Sequence, residues 1–166
     1  MSMKLTKIYL DLDGVICDFH TRYTQLFGTT PERDDKSKMF YKNFDTFIEG
    51  RNFATLDLMP GAITLIRALE QIYEDYGIPT EILSSTASEK RHEVIKEQKE
   101  EWLKKHSVLF KQNFVPGKRL KYKFAEPTAL IIDDTVSVVD DWRRAGGHAI
   151  WHNNVSATLA MLKVWL

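Results

Sequence analysis

Asp11 and Asp13 stand one residue apart at the end of the apolar run Ile8-Tyr9-Leu10, and Gly14 follows at once. Side chains alternate along a strand, so a strand continuing through Leu12 points both carboxylates the same way. Like charges held that near each other repel, and the pair needs a cation or a shared proton. The glycine lets the backbone turn and approach a bound group closely. Asp133 and Asp134 form a second acidic pair, at the end of the apolar run Ala129–Ile132. A third run, Glu81–Leu83, ends in Ser84, Ser85 and Thr86, small hydroxyl residues ahead of a helix start, where an oxyanion is well received. Between the serines and the second acidic pair lies a cationic stretch with Lys118, Lys121 and Lys123. On one edge of a sheet, these groups provide a place for a cation beside a place for an oxyanion.

Such convergence requires strands that end together. Five short apolar runs read as strands: Ile8–Leu12, Glu81–Leu83, Asn113–Val115, Ala129–Ile132 and His148–Trp151. Helical stretches around Ala62–Tyr76, Ser88–His106, Val136–Ala145 and Val155–Val164 separate most of them. Strand–helix alternation of this kind argues for a parallel sheet covered on both faces, with the strand C-termini along one edge. The expected fold is α/β, a three-layer sandwich on a Rossmann-like sheet, whose ligands bind at that edge.

Residues 16–59 break the rhythm. The interval is too long for a βα connection and too aromatic for a disordered loop, with Phe19, Tyr23, Phe27, Phe40, Tyr41, Phe44, Phe47 and Phe53 inside it. It reads as a small helical insertion over the functional edge, with Pro31 to Lys38 as a polar linker. Residues 1–15 and 60–166 then form the core, and Met59-Pro60-Gly61 marks the return to it. The stretch Ser88–His106 is mostly charged, with Thr86 and Glu89 placed for a capping box, and reads as a solvated helix.

The 166 residues are one domain's worth, and 43% hydrophobic content is enough for a core. Lys+Arg and Asp+Glu balance at 23 each, which argues against bulk nucleic-acid binding or an anionic membrane as the main partner. No apolar run approaches the length of a bilayer span, and no signal-peptide core is evident. A single cysteine, Cys17, excludes an intramolecular disulfide and suits a reducing, cytoplasmic setting.

The segment Asp11-Leu12-Asp13-Gly14-Val15, the strand-terminal Ser84, a lysine in the basic stretch and Asp133-Asp134 occur in the order found in the haloacid dehalogenase (HAD) superfamily of phosphotransferases, which the chain resembles over nearly its whole length. In that superfamily a helical cap follows the first motif, where residues 16–59 stand. The run through Cys17-Asp18-Phe19, the segment Phe53 to Ala62, Ser84-Ser85 and the closing Asp133-Asp134 to His152 are similar to the 5′(3′)-deoxyribonucleotidases and related small phosphatases.

The resemblance implies a Mg²⁺-dependent phosphatase acting on a small phosphomonoester, most plausibly a nucleoside or deoxynucleoside 5′- or 3′-monophosphate. Asp11 would be the nucleophile, forming an aspartyl-phosphate, and a metal ligand. Asp13 would be the general acid and then the base, with its backbone carbonyl on the metal. Ser84, with help from Ser85, and Lys121 would bind the phosphoryl group. Asp133 would ligate Mg²⁺, and Asp134 would ligate or support it. Chemistry explains the ensemble: phosphate-monoester hydrolysis is so slow that up to ~10²¹-fold acceleration is needed. A carboxylate nearing a phosphate dianion costs about 4 kcal/mol per charge pair at ~4 Å and an effective dielectric of ~20. Mg²⁺ and a lysine offset that repulsion.

Other readings compete. Asp133-Asp134 and Ser84 could simply cap helices. Lys118 and Lys123 are alternatives to Lys121. The cap aromatics read as a miniature core, with Phe44, Phe47 and Phe53 as the candidates for stacking on a base. His92, His106, His148 and His152 lack a metal-like spacing, and His20 follows the motif loop. A sugar phosphate or a polynucleotide end is an alternative substrate. A phosphoacceptor signalling domain uses similar residues, but carries its acceptor on a later strand.

Overall fold

The computed structural model describes residues 4–166; residues 1–3, at the head of the expected core segment, lie outside the described part. Its centre is a five-stranded parallel sheet in the order β3-β2-β1-β4-β5, with β1 Lys7–Leu10, β2 Thr80–Ser85, β3 Lys111–Val115, β4 Ala129–Asp133 and β5 His148–Trp151. The β-branched and leucine-rich runs are buried on both faces, as a helix-covered parallel sheet requires. Ile8, Leu10, Ile82, Leu130, Ile132 and Ile150 share one core with α4 (Ala62–Tyr76), α5 (His92–Lys105) and α7 (Val155–Leu162). The intervening Tyr9, Leu83, Ile131 and Ala149 meet Val138, Val139 and Trp142 of α6 (Val136–Arg144) on the other face. The result is the expected three-layer α/β sandwich.

Strand β1 lies between β2 and β4, so the chain leaves β1 towards one side and resumes on the other at β4. A crevice opens at such a switch point, outside the strand C-termini. Asp11, Ser84, Ser85, Asp133 and Asp134 all sit there.

Residues 16–59 fold into three helices, α1 (Phe19–Phe27), α2 (Pro31–Ser37) and α3 (Phe40–Glu49), and a 3₁₀ turn at Asn52–Ala54. The expected polar linker is thus a helix. Thr30 caps it through the Arg33 amide, Pro31 opens its first turn, and buried Asp34 accepts hydrogen bonds from Tyr23 Oη (2.6 Å) and Asn43 Nδ2 (2.9 Å). One buried carboxylate organises a segment that looks uniformly polar. Phe19, Tyr23, Phe27, Phe40, Phe44, Phe47 and Phe53 pack against one another with centroid spacings from 4.7 to 6.3 Å. Phe44, Phe47 and Phe53 are buried in this cluster, which is not a separate miniature core but continuous with the core under the sheet.

The Thr86–Glu89 capping box is absent, and α5 begins at His92 rather than Ser88. Thr86 Oγ1 lies 2.7 Å from His92 Nδ1 and donates to the Val115 carbonyl, so its hydroxyl braces the loop instead of capping it. Helix α5 is not merely solvated either. Ile95, Gln98, Lys99, Trp102 and Leu103 form a buried stripe. Gln98 bonds the Phe53 amide and the Ile48 carbonyl, and Trp102 Nε1 donates to the Leu56 carbonyl at 2.8 Å, which fastens residues 48–56 to the core. Among the described residues no helix is long and apolar enough to cross a membrane.

Candidate active site

Regular pairing of β1 stops at Leu10, two residues earlier than expected, although the Asp11 amide still donates to the Ile132 carbonyl at 3.0 Å. The chain then turns sharply, with the amides of Val15, Ile16 and Cys17 all directed at the Leu12 carbonyl. Gly14 sits in this turn at φ +80°, and a Cβ there would lie 1.9 Å from Asp134 Oδ2. Glycine is therefore required twice, by the backbone conformation and by the approach of the second acidic pair.

Asp11 and Asp133 meet across the gap between β1 and β4, joined by the Lys121 ammonium. Lys121 Nζ donates to Asp11 Oδ1 at 2.9 Å and to Asp133 Oδ2 at 2.7 Å, and all three side chains are buried. The cationic stretch is a 3₁₀ segment, Lys118–Phe124, that turns Lys121 inward and leaves Lys118 and Lys123 exposed. Asp133 Oδ1 accepts from the Thr135 amide at 2.9 Å, so this aspartate braces the start of α6 as well.

Asp11, Asp133 and Asp134 each bring a carboxylate oxygen within 4.8 Å of the others. Three oxygen donors around one point form a hard donor set suited to Mg²⁺, which takes one or two carboxylates together with water and phosphate oxygens. Electrostatics agree. Burial first, and then the Asp133 charge, push Asp11 well above the usual carboxylate range and Asp134 up to about 6. Burial disfavours the charged form of both groups and the neighbouring carboxylate adds to it, and a bound cation would oppose both effects. Burial opposes the charged form of Lys121, but Asp11 and Asp133 outweigh it and hold the ammonium above its ordinary value.

Asp13 diverges from Asp11 because the strand has ended. Its Oδ2 accepts from Lys99 Nζ at 3.0 Å, while Oδ1 is buried with no hydrogen-bond partner among the described residues. Lys99 also donates to Ser84 Oγ at 2.7 Å and to the Ser85 carbonyl at 2.8 Å. Ser85 Oγ accepts from the Ala87 amide, shaping the loop rather than facing Lys99. The site thus has two buried lysines, one bridging Asp11 to Asp133 and one bridging Asp13 to Ser84.

Sequence reading missed Lys99, hidden in a helix of charges. Its signal is register: Ile95, Trp102 and Leu103 recur at i, i+7 and i+8, and Lys99 at i+4 falls on the same stripe. No histidine belongs to the acidic cluster, although the His152 amide donates to the Asp133 carbonyl at 2.8 Å. His92 contacts Thr86, His152 Nδ1 lies 2.6 Å from Thr158 Oγ1, His106 lies tilted against Trp102, His148 lies beside Trp165, and His20 pairs with Glu32 at the surface.

No protein-family model matches the sequence, and no curated protein matches it. Solved structures do. A hydrolase from Streptococcus pneumoniae TIGR4 superposes with a TM-score of 0.56 at 19% identity, over 97% of this chain and 100% of that one. The D,D-heptose 1,7-bisphosphate phosphatase of Burkholderia thailandensis has a TM-score of 0.50 at 13% identity, over 94% of this chain and 84% of its own. The HAD domain of the Legionella pneumophila effector protein Lem4 has the same TM-score and identity, over 98% of this chain and 94% of its own. The chain therefore shares the fold of a HAD domain, and its acidic and basic residues gather at the switch point of that fold.

Proposed function

We propose that this protein is a Mg²⁺-dependent phosphatase acting on a small phosphomonoester through an aspartyl-phosphate. The observation that carries the reading is the meeting of Asp11, Asp133, Asp134 and Lys121 at the switch point. The names of two structural neighbours, a hydrolase and a bisphosphate phosphatase, agree with it.

With Asp11 Oδ1 held by Lys121, Oδ2 attacks phosphorus, a P–O bond to Asp11 forms, and the ester P–O bond breaks. Asp13 gives the departing alkoxide its proton. Asp13 then takes a proton from water, whose oxygen attacks phosphorus and releases inorganic phosphate and free Asp11. Lysine has three N–H donors, and Lys121 spends two on Asp11 and Asp133, which leaves one for a phosphoryl oxygen. Ser84 Oγ accepts from Lys99, so its own hydrogen is free to point at the phosphoryl group. Mg²⁺, held by Asp11, Asp133 and Asp134 with the Asp13 backbone carbonyl, would neutralise charge on the phosphoryl oxygens. Residues 16–59 act as the cap that shuts out water, on a core formed by the other described residues, 4–15 and 60–166. Balanced charge and a lone, buried Cys17 suit a cytoplasmic enzyme with a small-molecule partner rather than nucleic acid or membrane.

Within this class, a nucleoside or deoxynucleoside monophosphate is the first candidate, from the motif resemblance. A sugar phosphate is the second, because Phe44, Phe47 and Phe53 are occupied with one another and present no open ring to a base. A panel of nucleotides and sugar phosphates, assayed for released phosphate with Mg²⁺, decides between them. Asp11→Asn should abolish turnover in a protein that remains folded. Normal activity in that variant would refute the nucleophile assignment. Stable phosphorylation by acetyl phosphate without turnover would favour a phosphoacceptor domain instead.

A further inference from the structure

Lys99 is one of the most deeply placed charges in the molecule, with a side chain only 4% exposed, and the reaction outlined above uses it only to orient Ser84. Its three N–H groups are all engaged, by Asp13 Oδ2, Ser84 Oγ and the Ser85 carbonyl. A lysine ammonium has no fourth hydrogen, so in this arrangement Lys99 has none left for a phosphoryl oxygen. Its partners are instead the two side chains that must face adjacent oxygens of the transferred group. Ser84 serves a non-bridging oxygen and Asp13 the leaving oxygen.

The surroundings fix the ammonium. Its stem leaves a buried stripe of α5, and the Phe53 ring from the 3₁₀ turn closes over it, with Nζ 5.1 Å from the ring centroid. The adjacent Gln98 ties the same helix to the Phe53 amide and the Ile48 carbonyl. Asp13, by contrast, has little else to hold it. Its Oδ1 lacks a partner among the described residues, and its side chain is 30% exposed, in a turn beyond the end of β1.

We infer that Lys99 is a positioning residue for proton transfer: it clamps the Asp13 carboxylate to Ser84, so that the acid stands at the leaving oxygen when the phosphoryl group is bound. The inference rests on the phosphatase reading for its kinetic consequence and on the geometry alone for its structural one. A shift of about 1 Å in such a group can cost ~10²-fold in rate. The loss should be largest where the leaving group needs a proton.

The test uses the whole chain with Mg²⁺, as wild type and as Lys99→Met, which keeps most of the stem and removes the donors. An alkyl phosphomonoester leaves as a basic alkoxide and needs the proton, whereas p-nitrophenyl phosphate leaves as a weakly basic phenolate. Both substrates form the same aspartyl-phosphate, whose hydrolysis also uses Asp13, so the leaving-group step is read from kcat/KM. The variant should lose ~10²-fold or more in kcat/KM on the alkyl substrate and ~10-fold or less on the nitrophenyl one. Equal kcat/KM losses on the two substrates would overturn the inference, as would a raised KM at unchanged kcat on the alkyl substrate, which marks an ordinary phosphate ligand. Lys99→Gln, which restores an N–H donor, should recover part of the alkyl activity and serves as the test if Lys99→Met does not fold. A crystal structure of the folded variant provides a readout independent of turnover. Asp13 should swing away from Ser84, and an unmoved carboxylate would overturn the inference. A wild type inactive on every phosphomonoester would remove the phosphatase reading, and that structure would still decide the clamp.

Discussion

Replacing Lys121 with methionine probes the charge balance of the site directly. In the wild type one buried ammonium is shared by two buried carboxylates, at 2.9 and 2.7 Å. Methionine fills similar space, so the perturbation is chiefly electrostatic. Removing one partner of a buried ion pair costs ~3–5 kcal/mol, because the remaining charge is uncompensated. Here two carboxylates lose their cation, but protonation limits the damage, since burial already pushes Asp11 upward. We therefore expect ~3 kcal/mol at neutral pH without metal. At ~2–4 °C per kcal/mol for a domain of this size, the melting temperature should drop by ~6–12 °C. Thermal unfolding followed by circular dichroism in EDTA measures this, with Lys123→Met, at an exposed position, as the control. Excess Mg²⁺ should restore much of the loss, because an ion that binds only the folded state at ~100 times its dissociation constant adds ~2.7 kcal/mol. A melting temperature within ~2 °C of wild type in EDTA would refute the reasoning, since the carboxylates would then need no cation.

Gly14→Ala should uncouple the acidic pairs: a Cβ 1.9 Å from Asp134 Oδ2 forces that carboxylate away, and φ +80° adds ~1–2 kcal/mol of strain. Phosphatase activity should fall ~10²-fold or more, and full activity would contradict the close approach of Gly14 to Asp134. Phe47→Ala should cost ~3–5 kcal/mol of stability without changing preference among bases, because that ring is fully buried. A changed base preference at unchanged stability would restore the stacking role. Asp11 and Asp134 bind protons more tightly in the folded than in the unfolded chain, Asp134 with a value of about 6. Their ionisation therefore opposes folding, and in EDTA the stability they govern falls as pH rises from ~4 through 6. Asp134→Asn should flatten that slope, and identical melting-temperature profiles for the two proteins would refute it.

The sequence alone determined the strands, their order of use and the residues at their ends. Buried parallel strands are short runs of Ile, Leu and Val, and Ala129–Ile132 can hardly be read otherwise. The same logic marked Asp11, Ser84 and Asp133, since a polar residue ending such a run must emerge at the sheet's carboxyl edge. Local pattern also marked residues 16–59 as aromatic and helical, while their packing into the sheet's own core came only with the fold. Tertiary structure alone decided which charges are partners. Among Lys118, Lys121 and Lys123 the motif resemblance pointed to Lys121, but only the 3₁₀ turn brings its ammonium inward and leaves the other two exposed. Lys99 looks like its exposed neighbours until α5 packs against the sheet, which turns one face of a polar helix inward. Asp34 likewise looks solvated until Tyr23 and Asn43 converge on it. Backbone preference and hydrophobic periodicity act over a few residues and can be read along the chain. A buried charge is set by partners as many as 110 positions away, and only the closed fold brings them together.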